Sequence, residues 1–245
     1  MPPYDIKGTT QKCTPLQLCG GVTEIKLSED KLLSELTLFS SEKLRTLEVI
    51  AKEIVECKKC RLWYTRNRAV PGDGNSNADV MLIGEAPGYN EDLEGRPFVG
   101  AAGKLLDKLL SIAGIVRNEA YITNVVKCRP PSNRDPLPDE IDACSVYLDR
   151  QVMIISPKLI VCLGKHSTDY VLRRGGAKAR FRHGLSMIAV RGQVFSINYQ
   201  GLRTLAIPTY HPAAALYNPK IKEDLIEDFK TIGRVLMDVR GGRLT

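Results

Sequence analysis

Apolar runs alternate with amphipathic segments along the chain, and this alternation predicts a sheet whose strands are separated by helices. Short apolar runs bounded by turn residues are typical of strands that are buried on both faces. They occur in ADVMLIGE (78–85), AYITNVVKC (120–128), PKLIVCLG (157–164) and TLAIPTY (204–210). The sequence therefore predicts an α/β fold, a three-layer α/β/α arrangement around a central and largely parallel sheet.

The segments between these runs carry leucines and isoleucines at helical spacing. A helix is expected to start at Ser40 and lead into Cys57, and further helices are expected over 100–115, 140–155, 165–174 and 221–239. Residues 1–40 lack sustained periodicity and are expected to be an N-terminal extension. Residues 41–245 then form one catalytic domain, since α/β domains often reach this size.

Composition narrows the class of protein. Hydrophobic residues make up 43% and no apolar run reaches the length of a membrane span, so a soluble, non-membrane protein is expected. The N-terminus lacks an apolar signal segment, which favours an intracellular location. The net charge of +7 favours a polyanionic partner such as nucleic acid. A monomer is the default expectation.

Three predicted strands end in residues that suit ligand recognition. The first ends in Gly84-Glu85-Ala86, the second in Asn124 and the last in His211. Ligands bind outside the carboxyl ends of parallel strands, so we expect these residues to meet in one cleft. Taken singly, each has a plainer interpretation as a turn, a helix cap or a satisfied polar residue.

The cysteines suggest a metal site. Cys57 and Cys60 form a C-x2-C pair, and Cys128 and Cys144 follow at longer intervals. Four thiolates suffice for zinc or for an iron–sulfur cluster, although the uneven spacing argues against a zinc ribbon. Two unrelated thiols remain an alternative for the C-x2-C pair, and Cys162 within LIVCLG reads as a buried core thiol.

Three long motifs carry a resemblance to a known family. GEAPGYNEDLEGRPFVGAAGKLL (84–106), TNVVKCRPPSNRDP (123–136) and PTYHPAAALYNP (208–219), with the C-x2-C pair upstream, closely resemble the family 4 uracil-DNA glycosylases of thermophilic bacteria and archaea. The similarity runs from about residue 45 to 230. It implies a glycosylase that flips uracil out of DNA and hydrolyses its N-glycosidic bond, which leaves an abasic site and initiates base excision repair.

The resemblance also implies two sets of site residues. A structural [4Fe-4S] cluster is expected on Cys57, Cys60, Cys128 and Cys144. A uracil pocket is expected at the strand ends, formed by Gly84, Glu85, Ala86, Phe98, Asn124 and His211.

Each pocket residue has an expected role. Phe98 stacks on the flipped ring, unless it is simply a core aromatic. The Asn124 amide pairs with uracil O4 and N3–H and rejects cytosine, whose hydrogen-bonding edge is reversed. His211 stabilises the negative charge that develops on the departing uracil.

The nucleophilic water is harder to assign. The related family 1 enzymes carry Gln-Asp-Pro-Tyr where this chain has Glu85-Ala86-Pro87-Gly88, so their water-activating aspartate is absent. Glu85, Glu91 and Asn133 are the candidates to position the water. Glu91 is also a candidate to exclude the thymine methyl group. Alternatively, it is part of a solvated acidic turn. No lysine stands out as a Schiff-base nucleophile, so a monofunctional enzyme is expected.

Several residues are candidates for DNA contacts. Arg129 and Arg134 are expected to meet phosphates, as is the basic loop at 173–184, and Leu216 or Tyr217 is expected to fill the gap left by the flipped base. The substrate is uracil-containing DNA, single- or double-stranded. Residues 1–40 are a candidate contact for a repair or replication partner, although no motif in them identifies one.

A second class of function stays open at this point. A non-catalytic nucleic-acid-binding protein containing zinc or an iron–sulfur cluster would share the basic charge and the cysteines, but it would not need Asn124 and His211 at strand ends. A nucleotide hydrolase is disfavoured, because Leu105 follows Gly103-Lys104 where a phosphate loop needs Ser or Thr.

Overall fold

The computed structural model describes residues 29–177 and 185–244. The described strands are β1 (Asp73–Gly74), β2 (Val80–Gly84), β3 (Tyr121–Asn124), β4 (Leu159–Leu163), β5 (Phe195–Tyr199) and β6 (Leu202–Thr209). The described helices are α1 (Glu29–Glu56), α2 (Tyr89–Glu94), α3 (Ala101–Ile112), α4 (Pro138–Ile155), α5 (Lys165–Arg174), α6 (Met187–Val190) and α7 (Pro219–Arg240). Short 3₁₀ turns span Pro131–Asn133 and Pro212–Leu216.

The strands form one sheet in the order β1-β3-β2-β4-β6-β5. Strands β3, β2, β4 and β6 run parallel, and β1 and β5 pair antiparallel at the two edges. The predicted, largely parallel sheet is confirmed. The carboxyl ends of the four parallel strands therefore lie along the same edge of the sheet.

Alternating side chains of the strands build two separate cores. Met81 and Ile83 of β2 pack with buried residues of α1, α4 and α5, whereas Val80 and Leu82 pack with residues of α3 and α7. Successive side chains of a strand point to opposite faces, so helices cover both sides of the sheet. The predicted three-layer α/β/α fold is confirmed. Cys162 is a fully buried member of the first core, as expected.

One local prediction was wrong, and one alternative is excluded. The first helix starts at Glu29 instead of Ser40, because EDKLLSEL is rich in strong helix formers and the helix continues through the serines. Strand β3 ends at Asn124, as predicted. The acidic segment after Gly88 forms α2, in which Asp92 is buried and accepts hydrogen bonds from Asn67, so it is not a solvated turn.

Two predicted segments extend beyond the described ranges. Residues 178–184 of the expected basic loop lie there, and so do residues 1–28 of the expected N-terminal extension. The division into an extension and a catalytic domain stays a prediction. Within the described ranges, no helix combines the length and the apolar character that crossing a membrane requires.

Candidate active site and cysteine site

A cavity of about 310 Å³ opens at the edge where the parallel strands end. We call it the strand-end pocket. It brings together residues that are far apart in the sequence, as the positions of the strand ends predicted. Its walls include Glu85, Ala86, Phe98, Asn124 and His211. The predicted cleft at the strand ends is therefore present in the structure.

Asn124 ends β3 and is almost fully buried at the pocket wall. Its amide oxygen Oδ1 is buried and has no hydrogen-bond partner within the described part of the chain. A buried polar atom without a partner costs free energy, so native proteins seldom leave one unless a ligand completes it. The amide oxygen is thus a vacant acceptor directed at whatever enters the pocket.

Gly84 ends the neighbouring strand β2 and lies directly behind Asn124 and Phe98, but it does not itself line the pocket. A Cβ atom at this position would lie 2.4 Å from Asn124 Oδ1 and 2.8 Å from Phe98 Cζ. Both distances are far shorter than van der Waals contact. Only glycine therefore allows the amide and the Phe98 ring to occupy the same corner of the pocket.

Phe98 supplies an aromatic wall. Its ring lies parallel within 28° to the His211 imidazole, with 5.5 Å between the ring centroids. Its backbone has φ of +52°, a left-handed conformation that is unfavourable for a bulky residue. The segment is held by Arg117, whose Nη2 donates to the carbonyl oxygens of Pro97 and Phe98. Phe98 is both a buried aromatic and a pocket wall.

Glu91 fixes the loop that carries Phe98. Its Oε1 accepts hydrogen bonds from the backbone N–H groups of Val99 and Gly100, at 2.8 and 2.9 Å. Its Oε2 accepts one from the N–H of Gly88, at 3.1 Å. Both carboxylate oxygens are therefore engaged in holding backbone, although the side chain lines the pocket.

His211 follows β6 and is held in its neutral form. Its Nδ1 accepts a hydrogen bond from the N–H of Ala213, so the proton of the neutral imidazole lies on Nε2. Burial lowers the pKa of His211 to about 4, although the nearby Glu91 carboxylate opposes the shift. The ring thus presents a neutral N–H donor at neutral pH.

Glu85 lines the pocket beside two residues that the sequence analysis missed. Its Oε2 lies 3.8 Å from Nε2 of His166, and the same nitrogen lies 3.1 Å from Oδ2 of Asp135. Burial raises the pKa of Glu85, an effect that His166 opposes and Asp135 reinforces. In the described residues the Glu85 carboxylate accepts no hydrogen bond.

Arg129, Leu216 and Tyr217, three of the predicted DNA-contacting residues, belong to segments that line the pocket through Pro130, Asn133 and Ala213. Arg129 stacks over the Tyr89 ring and donates from Nε to Oδ1 of Asn133 at 2.8 Å. Leu216 and Tyr217 are exposed just beyond the pocket, and Tyr217 is 93% accessible.

Arg134 also lines the pocket, but its guanidinium is engaged inside the protein. It forms a bidentate pair with the buried carboxylate of Glu140, at 2.6 and 2.8 Å. It is therefore less available to a phosphate than the sequence suggested.

The four predicted cysteines surround a second cavity, which we call the cysteine site. All four are free thiols, and the cavity is also lined by Trp63 and Tyr147. Three donors point at their sulfur atoms: the backbone N–H of Lys59 at Cys57, Arg66 Nη1 at Cys128, and the backbone N–H of Lys127 at Cys144. Such donors stabilise thiolates that coordinate a metal group.

The spacing of the thiols bears on the kind of metal group that they can hold. Tetrahedral zinc with sulfur ligands at about 2.3 Å holds its sulfurs roughly 3.8 Å apart. Among the described residues, only Glu85, Asp135 and His166 form a set of three or more ligand atoms within 4.8 Å of one another. In the described residues, no three of the cysteine sulfurs therefore lie within 4.8 Å of one another.

Lys127 connects the two sites and was missed by sequence reasoning. It is 1% exposed, and its Nζ donates to Thr123 Oγ1, the Asn124 carbonyl oxygen and Gln151 Oε1, at 2.6 to 2.8 Å. Burial lowers its pKa to about 7, while the neighbouring Cys144 and Cys128 act in the opposite direction. The sequence does carry a signal for this residue, because Lys127 is a charged residue within the apolar run AYITNVVKC (120–128).

Comparisons with known proteins agree with this geometry. The model of the uracil DNA glycosylase superfamily matches residues 71–230. The type-4 uracil-DNA glycosylase of Sulfurisphaera tokodaii is 55% identical over 188 residues, which cover 76% of this chain and 83% of that protein.

Two further relatives carry the same description. The type-4 uracil-DNA glycosylase of Saccharolobus solfataricus is 53% identical over 78% of this chain and 86% of its own length. That of Thermotoga maritima is 38% identical over 79% of this chain and 95% of its own length. The strand-end pocket lies in the region that the superfamily model matches, as do Cys128 and Cys144 of the cysteine site. The chain belongs to the type-4 family of the uracil-DNA glycosylase superfamily.

Proposed function

We propose that this protein excises uracil from DNA by hydrolysing the N-glycosidic bond of a flipped nucleotide. The observation that carries the proposal is the buried, vacant acceptor of Asn124. A uracil ring presents N3–H, the donor that this oxygen lacks, and presents O4 to the amide N–H₂. Cytosine carries an unprotonated N3 and an amino group in their place, so both contacts would be mismatched.

Stacking and shape support the same ligand. The Phe98 ring forms a flat wall beside the Asn124 amide, and base–aromatic stacking contributes about 1–3 kcal/mol per base. A base can reach this wall only after it leaves the DNA stack. The cavity of about 310 Å³ is large enough for one pyrimidine.

His211 acts on the leaving group. Negative charge grows on uracil O2 as the glycosidic bond breaks, and the Nε2–H of neutral His211 donates to that oxygen. Because the ring stays neutral, it stabilises the departing anion by hydrogen bonding and does not transfer a proton first. Removing one such donor typically slows an enzyme by about 10²–10³-fold.

Glu85 positions the water. Of the three candidates, Glu91 uses both carboxylate oxygens to hold backbone, and Asn133 uses its amide oxygen to accept from Arg129. Glu85 retains free acceptor capacity and lines the pocket. Its ionised carboxylate would orient the water that attacks C1′ and stabilise the positive charge on the sugar.

The DNA strand lies across the pocket mouth. Arg129, already stacked on Tyr89, faces the solvent side where a phosphate would pass, and the net charge of +7 favours the polyanion. Leu216 and Tyr217 are placed to fill the gap left by the flipped base. Arg134 contributes mainly by fixing the loop through Glu140.

A [4Fe-4S] cluster on Cys57, Cys60, Cys128 and Cys144 is part of the proposal. The four thiols line one cavity, and N–H donors are aimed at three of them, which supports the proposal. When bound, the cluster would supply a structural cross-link. It would join the end of α1, the segment after β3 and helix α4.

The cluster is tested by colour and composition. The purified protein should be brown and contain iron and acid-labile sulfide. Cys144→Ser should lose both, whereas Cys162→Ala, which alters a core thiol outside the cysteine site, should keep them. A colourless preparation loaded with zinc would contradict the assignment.

The activity is tested by incubating the protein with a uracil-containing oligonucleotide and then cleaving abasic sites with alkali. Wild type should cleave at uracil, and Glu85→Gln should lower the single-turnover rate about 100-fold. Glu91→Gln is the matched control at the second carboxylate.

The same assay separates the alternatives. Binding without cleavage at uracil would favour the non-catalytic nucleic-acid-binding class. A covalent adduct trapped by borohydride would contradict monofunctional hydrolysis.

A further inference from the structure

His166 and Asp135 adjoin the strand-end pocket on the far side of Glu85. His166 Nε2 lies 3.1 Å from Asp135 Oδ2 and 3.8 Å from Glu85 Oε2. One imidazole nitrogen thus stands between two carboxylates that belong to different segments. None of the three motifs that predicted the pocket contains His166.

The fold holds His166 in this position. Strand β4 ends at Leu163, and Gly164 turns the chain into α5 with φ of +99°, which places His166 in the first turn of that helix. The turn packs closely on the pocket, since a Cβ atom on Gly164 would lie 3.1 Å from the Cβ of His211. His166 therefore stands on a rigid helix start.

Asp135 is also held by its surroundings. The Arg134 guanidinium is locked to the buried Glu140, and Arg134 Nη1 also donates to the Asp135 carbonyl oxygen at 2.9 Å. The backbone around Asp135 is thereby tied to α4. The Asp135 carboxylate itself is largely exposed and faces His166.

Glu85 has no such anchor of its own. Its backbone carbonyl accepts from Val126 N–H, but in the described residues its carboxylate accepts no hydrogen bond. A free carboxylate samples several rotamers, and a catalytic group must stay within a fraction of an ångström of its productive position. His166 is the side chain at ion-pair distance from it.

We propose that His166 is a positioning residue that bridges Asp135 and Glu85 and thereby aims the Glu85 carboxylate at the attacking water. His166 Nε2 lies at ion-pair distance from Oε2, which leaves Oε1 free to accept from the water. This inference rests on the proposed function, because it presupposes that Glu85 positions the nucleophile. It deepens that function by identifying His166 as the side chain that holds the Glu85 carboxylate in position.

The test is a double-mutant cycle in single-turnover kinetics with enzyme in saturating excess over a uracil-containing oligonucleotide. His166→Ala should lower the rate about 10- to 100-fold while the affinity for the DNA is unchanged. His166→Gln keeps an N–H donor near the position of Nε2 and should recover part of the rate. Lys165→Ala, an exposed neighbour in the same turn, is the control for the loss of a basic residue.

The second arm of the cycle separates positioning from a general structural effect. In a Glu85→Gln background, His166→Ala should cause no further loss, because the group that it aims is already gone. Multiplicative losses in the double variant, or a loss confined to DNA affinity, would overturn the proposal. Sensitivity of the wild-type rate to EDTA would also overturn it, since the three side chains would then act as a divalent-cation site.

The outcome is distinguishable from a failure of the proposed function. A fully active Glu85→Gln variant would refute the role of Glu85 itself. An impaired Glu85→Gln variant with a fully active His166→Ala variant would refute only the role of His166.

Discussion

The strand-end pocket and the cysteine site share one short segment, and they treat buried polar groups in opposite ways. Asn124 and Lys127 are each 1% exposed and three residues apart. Lys127 Nζ has three oxygen acceptors within 2.8 Å, whereas Asn124 Oδ1 has no partner in the described residues.

In these two sites, the buried polar groups with structural roles have complete hydrogen bonding, and those with functional roles do not. A fully satisfied buried group contributes to the folded state, and a partly satisfied one marks the place where a ligand completes the network. The same contrast applies to the two pocket carboxylates, since Glu91 is saturated with backbone donors and Glu85 is not. The predictions below test this contrast.

The largest effect is expected at the unsatisfied amide. Asn124→Ala should lower uracil excision by about 10³-fold, because a site built to hydrogen-bond its ligand loses both contacts. The melting temperature should stay the same or rise, since the vacant buried acceptor is removed. Single-turnover rates and thermal melts check both parts, with the exposed Asn118→Ala as control. An Asn124→Ala variant that is destabilised but still active would contradict the functional role of the unsatisfied amide.

The opposite result, a loss of stability, is expected at Lys127, whose hydrogen bonds are all made. Lys127→Met should reduce the free energy of unfolding by about 3 kcal/mol, because three buried acceptors lose their donor. The melting temperature should then fall by about 6–12 °C. Urea denaturation and thermal melts measure this, and Lys52→Met on the exposed face of α1 is the control. An unchanged stability would show that the three bonds are not needed in the fold.

A smaller structural effect is expected at the saturated carboxylate. Glu91→Gln should cost about 1–2 kcal/mol of stability, because one charge-assisted bond to a backbone N–H is replaced by two facing donors. The excision rate should stay within about tenfold of wild type. Glu94→Gln, on the exposed side of α2, serves as control. A loss of rate as large as that of Glu85→Gln would return Glu91 to the list of candidates for the water.

The last prediction concerns the pH dependence of stability. The folded-state pKa of His211 is about 4, below the ordinary value of 6.5, so the unfolded chain binds more protons between these values. The stability contribution is therefore complete above pH 6.5 and is lost as the pH falls toward 4. His211→Asn should remove that dependence, which denaturation of both proteins across pH 4–8 would detect as a difference confined to this window.

Much of the fold could be predicted from the sequence because its signals are local. The apolar runs of β2 and β4 and the turn residues after them are read directly from neighbouring positions, and strand ends then define an edge where ligands bind. Asn124 and His211 were found in this way. The four cysteines were found from their spacing, and the family resemblance added Phe98 and the choice of an iron–sulfur cluster over zinc.

The missing parts depend on contacts between distant segments. His166 and Asp135 meet Glu85 only because the start of α5 and the segment before α4 converge at the same edge. Lys127 is explained only once Gln151 of α4 is seen beside it. The start of α1 was missed because helix propensity continued through serines that resemble a cap.

The lack of a side chain at Gly84 limits how the base specificity of this protein can evolve. Since the first carbon of any side chain would collide with the Asn124 amide and the Phe98 ring, every substitution there displaces two walls of the pocket. New base specificities can therefore arise through substitution of the residues that line the pocket, but not through substitution of Gly84. In mutational libraries, position 84 should stay invariant even where its neighbours diversify.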